Sequence, residues 1–209
     1  MENQEEIWDS IAFGWETYRI KPIDEVIEFL KGKRGKILDL GCGGGKHFPY
    51  INGEIYGIDF SKEMLNYAQE RADKNNLKVN LTKTTADSLP FENNFFDSVI
   101  FIAALHCITT KEKREKTLKE LFRVLKSGAE TLITVWDHNQ ERFKNLDKEA
   151  TIPWKHDGKE YKRYYYLYDK EEFVNLLKKI GFKIVKISDK ESPNGFYSQK
   201  NINVIVKKP

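Results

Sequence analysis

Lys36-Ile37-Leu38-Asp39-Leu40-Gly41-Cys42-Gly43-Gly44-Gly45-Lys46 is the stretch whose reading decides the fold. A short apolar run meets an acid and then breaks into four glycines within five residues. Ile37, Leu38 and Leu40 read as a buried strand. The glycines read as a turn whose backbone approaches something closely, because glycine has no Cβ and takes positive φ freely. A strand, such a turn and then a helix make the nucleotide-binding corner of a doubly wound sheet. The turn alone is weak evidence, and the next strand decides its meaning. Glu54-Ile55-Tyr56-Gly57-Ile58-Asp59-Phe60 is a second strand signal ending in Asp59, 20 residues after Asp39. In this fold the carboxylate at that tip accepts hydrogen bonds from ribose hydroxyls. The glycine spacing is G-x-G-x-G rather than the dinucleotide G-x-G-x-x-G. Asp39 sits two residues before Gly41, a poor neighbour for a pyrophosphate and a good one for an ammonium.

The run from Leu38 to Gly45 resembles motif I of the class I S-adenosylmethionine-dependent methyltransferases. The plain alternative is a strand–turn–helix corner without a ligand. The resemblance implies an α/β fold: a Rossmann-like, doubly wound, seven-stranded sheet with an antiparallel last strand. It also implies S-adenosyl-L-methionine as cofactor and no metal. A third strand signal, Val79 to Thr84, leads into Thr85-Ala86-Asp87-Ser88-Leu89-Pro90-Phe91. That segment resembles the superfamily's third cofactor motif, in which the aspartate accepts from the adenine amine. The cofactor contacts so implied are Tyr18, Asp39, Gly41, Cys42, Gly43, Asp59, Phe60, Met64, Ala86, Asp87, Ser88 and Ala103.

The whole chain is consistent with this. Its 209 residues are of one-domain size, read as a single domain over 1–209 and long enough for a full core. Hydrophobic residues at 40% and charged residues at 32% describe a charge-rich globule. A formal net charge of +3 permits RNA binding without arguing for it. Two cysteines, Cys42 and Cys107, make neither a disulfide framework nor a metal cluster, which fits a reducing cytoplasm. The acidic N-terminus is no signal peptide, and the longest apolar run, Val99 to Leu105, is too short for a bilayer.

Along the chain, apolar residues from Ile7 to Trp15 recur at helical spacing. Pro22 opens a second helix that Gly32 stops. These N-terminal helices (1–31) either pack on the sheet or form a lid over the cofactor. Ser61 caps a helix reaching about Asn75. Phe96 to His106 reads as a fourth strand and its exit, whose continuous apolar run from Val99 suits a central parallel strand, with His106 leaving its end. Residues 110–126 form a helix ended by Gly128, and Thr131 to Trp136 is a fifth strand. The polar, aromatic segment 137–168 interrupts the alternation and is read as a substrate-side insertion. Its aromatics could stack a base, with Lys155, Lys159, Lys162 and Arg163 meeting phosphates, or Tyr164 to Tyr168 could be a strand on the core. A helix to Ile180 follows, then two closing strands around an Asn194-Gly195 turn.

Five stretches resemble a narrower family, the tRNA wobble-uridine methyltransferases acting on 5-carboxymethyluridine. They are Tyr18-Arg19-Ile20-Lys21-Pro22, Ile102-Ala103-Ala104-Leu105-His106, Ile133-Thr134-Val135-Trp136, Ile152-Pro153-Trp154 and Tyr164-Tyr165-Tyr166-Leu167-Tyr168. Ile20, Cys107 and Tyr166 depart from the family's pattern. The resemblance implies O-methylation of a carboxylate on a tRNA anticodon stem-loop, at times with a small zinc-binding activator protein. It makes Arg19 and His106 the candidate catalytic residues. Arg19, Lys21, His106, Trp136, Trp154 and Tyr165 are the candidate substrate contacts. A carboxylate nucleophile is already ionised at neutral pH, so it needs an anion-holding group such as Arg19 rather than a base. Two other readings stay open: a small-molecule methyltransferase acting on a quinone or sterol, and a cofactor-binding partner subunit without catalysis.

Overall fold

The computed structural model describes residues 2–18, 22–188 and 200–209. Nine strands and five α-helices are ordered along those residues. The strands are β1 (Lys36–Leu40), β2 (Glu54–Asp59), β3 (Val79–Lys83), β4 (Phe96–Ile102), β5 (Leu125–Trp136), β6 (Glu149–His156), β7 (Lys159–Tyr166), β8 (Lys183–Ile187) and β9 (Asn201–Lys207). The helices are α1 (Gln4–Tyr18), α2 (Asp24–Leu30), α3 (Lys62–Lys74), α4 (Lys111–Val124) and α5 (Lys170–Ile180).

Seven strands form one sheet in the order β3-β2-β1-β4-β5-β9-β8. β1 pairs in parallel with both β2 and β4, whereas β9 runs antiparallel to β5 and β8. The chain leaves β1 toward β2 and later returns to the other side of β1 as β4. Strand order therefore reverses between β1 and β4, and a crevice opens over their C-terminal ends.

Period-two alternation explains the layering. Leu38, Leu40, Val99 and Phe101 share one face with the buried stripes of α4 and α5. Ile37, Ile100 and Ile102 face the other way, against Val26, Phe29 and Leu30 of α2 and Ala68 of α3. β4 is apolar on both faces because both are covered, as its unbroken run implied. Each such side chain taken fully out of water contributes about 1.5–3 kcal/mol. No helix among the described residues is long and apolar enough to cross a membrane.

Several local expectations are corrected. No α-helix follows the glycine turn; only a single 3-10 turn, Phe48–Tyr50, lies between β1 and β2. Pro49 sits inside it, and Gly41, Gly43 and Gly45 all have positive φ, so the chain there is spent on turns. Pro22 does not open α2: Ile23 is the N-cap, extended and without a side-chain cap bond. α4 ends at Val124, not Gly128, because buried Leu125 is already extended and paired with Phe96 of β4. Gly128, at φ +80°, lies where the β4–β5 register shifts. The Asn194-Gly195 turn lies outside the described residues.

The insertion is a two-stranded antiparallel hairpin, β6–β7, closed by Asp157 and Gly158 at φ +48° and +72°. Two positive φ values make a type I′ turn, the turn whose twist matches paired strands. Ile152, Trp154, Tyr161, Arg163 and Tyr165 share the hairpin face toward α1, while Lys155, Lys159 and Lys162 stay exposed. The tyrosine run is thus strand and core at once, with Tyr164, Tyr165 and Tyr168 buried. Arg163, read as a phosphate contact, is also buried and cannot meet a phosphate from the surface.

Candidate functional site

A cavity of about 490 Å³ fills the crevice above β1 and β4. The glycine turn forms its floor, the tips of β2 and β4 its sides, and α1 closes it through Trp8, Trp15 and Glu16. Lining it are the sequence-predicted residues Asp39, Gly41, Cys42, Gly43, Asp59, Phe60, Met64, Ala86, Asp87 and Ala103. Ser88 is exposed and outside the wall. The Tyr18 side chain, Arg19, Ile20 and Lys21 lie outside the described residues.

Each carboxylate has a distinct surrounding. Asp59 accepts hydrogen bonds from the Gly43 and Ser61 N–H groups, both at 2.9 Å. It therefore fastens the glycine turn as well as facing the cavity. Burial pushes its carboxyl up to about 6, against those hydrogen bonds. Asp39 is 1% exposed, and its Oδ2 makes no hydrogen bond, with His47 Nδ1 at 3.6 Å. A buried acceptor without a donor costs about 1–3 kcal/mol, so this oxygen invites one. Burial holds the His47 imidazole below its ordinary value, against the opposing pull of Asp39. Asp87, on the loop after β3, meets Lys116 Nζ at 3.6 Å.

The turn's shape is tightly set. Gly41 has φ +69°, and a Cβ added there would lie 2.6 Å from the Ala104 Cβ. Glu16 reaches from α1 to accept from the Gly44 N–H at 3.2 Å and from Arg71 at 2.6 Å. Arg71 Nε in turn donates to the Gly44 carbonyl at 2.7 Å. Glu16, Arg71, His47, Trp8 and Trp15 were not legible as site residues, since only tertiary folding brings them to the turn. Asp9 of α1 also accepts from the Ser61 hydroxyl at 2.6 Å, joining α1 to the start of α3.

The substrate-side candidates are placed differently. His106 is 1% exposed and stacks on Trp136 at 5.0 Å; Trp136 stacks on Tyr165 at 4.2 Å. None of these three lines the cavity. His106 Nδ1 accepts the Trp136 backbone N–H at 3.2 Å, and burial lowers the imidazole to about 3, with Arg142 and Arg163 adding to it. So low a value favours the neutral ring near pH 7, and the stacking on Trp136 places it in the packing behind the cavity wall. Trp154 is half-buried, 5.5 Å from Trp15. Cys107 does line the wall, and burial pushes its thiol up to about 12.

A concave pocket whose acids include Asp39, Asp59 and Asp87, the first with an unpartnered buried oxygen, beside a turn where glycine is required, fits an adenosyl group that ends in an ammonium. Known proteins point the same way. The family model described as "Methyltransferase domain" matches residues 38–133. A methyltransferase-named protein of Encephalitozoon cuniculi is 30% identical over 156 residues, 71% of this chain and 70% of its own length. The Xenopus tropicalis tRNA (carboxymethyluridine(34)-5-O)-methyltransferase alkbh8 is 34% identical over 146 residues, 68% of this chain but 22% of its own length. This chain thus spans about a fifth of that longer protein. The crystal structure of a SAM-dependent methyltransferase of Methanosarcina mazei matches with a TM-score of 0.70 at 24% identity, over 88% of this chain and 96% of that one. The fold is that of a methyltransferase. This chain belongs to the methyltransferase family.

Proposed function

We propose that this enzyme O-methylates the carboxylate of 5-carboxymethyluridine at the wobble position of tRNA. The observation that carries the reading is the wall around the C-terminal end of β4. Ala103, Ala104, Cys107, Ile108 and Thr109 line it, and none of them takes up a proton at neutral pH. An amine or hydroxyl acceptor needs a base there; a carboxylate does not, being ionised already. The 34% identity to a protein named for carboxymethyluridine methylation supports the same acceptor.

Bound S-adenosylmethionine supplies an electrophilic methyl on a sulfonium. The chain's own residues do the rest. Asp59 accepts from the ribose hydroxyls, Asp39 receives the ammonium on its open Oδ2, and Asp87 accepts from the adenine amine. Trp8, Trp15 and Met64 exclude water, so the acceptor oxygen is held in line rather than competing with solvent. Arg19 and Lys21 are proposed to hold the acceptor's anionic groups, and exposed Lys155, Lys159 and Lys162 to follow the RNA backbone.

The test is incubation with radiolabelled S-adenosylmethionine and total tRNA, with and without a small zinc-binding activator protein, followed by digestion to nucleosides. A labelled methyl that mild base releases is the expected product. A base-stable methyl, or label only on small molecules, refutes the proposal.

A further inference from the structure

Four aromatic rings enclose one guanidinium beside the cavity. The Arg163 Cζ lies 5.0 Å from the Trp154 ring centroid, 5.2 Å from Tyr165, 5.4 Å from Trp15 and 6.0 Å from Trp8. Arg163 is 4% exposed. Its Nη1 donates to the Tyr165 hydroxyl at 2.7 Å, while its Nε donates to nothing. Among the described residues no carboxylate lies within ion-pair distance of it. A buried charge without a counter-charge is a standing cost that ring faces only partly offset. Core packing alone does not call for it, because an unbranched apolar side chain would fill such a box without that cost.

The location gives the charge a use. Trp8 and Trp15 line the cavity, and Arg163 stands behind them. Its field also reaches Cys107, on the wall beyond β4, where it lowers the thiol against the effect of burial. A positive charge buried behind a wall of uncharged side chains acts over several ångströms with less screening than in bulk water. We propose that Arg163 selects an anionic acceptor: its uncompensated charge draws a carboxylate, and not a neutral group of the same shape, to the Cys107 wall. It is a positioning and specificity residue acting through space. The proposal rests on the acceptor being a carboxylate, as proposed above.

The experiment compares wild type, Arg163→Lys and Arg163→Met, each with S-adenosylhomocysteine present. Each is titrated with 5-carboxymethyluridine nucleoside and with its neutral amide, read by tryptophan fluorescence. Wild type and Arg163→Lys are expected to bind the acid at least tenfold tighter than the amide. Arg163→Met is expected to shrink that ratio at least fivefold, leaving only the part owed to Arg19 and Lys21, with a melting temperature no lower than wild type. A merely structural role would lower the melting temperature and weaken acid and amide together, and that result overturns the proposal. So does an Arg163→Met protein whose acid preference equals wild type, an Arg163→Lys protein that lacks the preference, or a wild type without one. Methyl transfer to a 5-carboxymethyluridine stem-loop is measured in parallel. If wild type prefers the acid yet transfers no methyl, the tRNA reading falls and the role of Arg163 stands.

Discussion

Asp59 makes cofactor affinity depend on pH in a way the structure sets in advance. Its carboxyl stands at about 6 against an ordinary 3.8, so burial raises it by about two units, or about 3 kcal/mol. In the free protein this favours the protonated form. The contribution to stability is full below pH 3.8 and is lost as pH rises through about 6. Ribose hydroxyls donating to the carboxylate favour the ionised form, so the bound protein holds it below the free value. Affinity for S-adenosylhomocysteine should therefore be flat above pH 7 and fall about tenfold by pH 5, bending near 6. Calorimetric titration from pH 4.5 to 8 reads this directly. Burial beside Asp39 also holds the His47 imidazole below its ordinary value, and Asp59→Asn separates its contribution from that of Asp59. The asparagine variant should bind more weakly at pH 7.5 and lose the bend near 6. An unchanged bend in that variant, or a flat profile in wild type, refutes the reasoning.

Three other perturbations carry clear expectations. Gly41→Ala puts a Cβ 2.6 Å from that of Ala104 at φ +69°, so it should cost about 1–3 kcal/mol in urea unfolding and remove cofactor binding. Glu16→Ala frees the Gly44 N–H and leaves Arg71 without its carboxylate; cofactor release measured by stopped flow should quicken at least fivefold, with faster amide exchange along α1. Replacing Lys155, Lys159 and Lys162 together by glutamate should weaken tRNA binding and reduce its salt slope by about one for each phosphate no longer neutralised, leaving S-adenosylhomocysteine affinity unchanged.

What could be read from the sequence follows the range of the forces involved. Apolar runs are local, so β1, β2 and β4 were legible, as were Asp39 and Asp59 at the ends of the first two and the sheet they build. The missing helix after Gly45 was not, because the motif carries an expectation that Pro49 and the short connection to Glu54 override. The hairpin was missed although Asp157-Gly158 is a two-residue turn signal between Trp154 and Tyr161. Its lysines disguised the alternation. In the sequence His106 and Arg163 look like groups that face the substrate. Only tertiary packing shows that one is stacked under Trp136 and the other boxed by indoles. Glu16 had no local signal, since its partner Gly44 is 28 residues away.

The bare turn after β1 has a consequence for what the protein ignores. A helix begun there would aim about half a positive charge at the pocket floor, the usual attraction for a phosphate. Here the floor meets Asp39, Asp59 and Glu16 instead. ATP carries the same adenosine, but its phosphate tail would enter a field of carboxylates. ATP is therefore expected to compete weakly for this pocket, which inhibition of S-adenosylhomocysteine binding by ATP would measure.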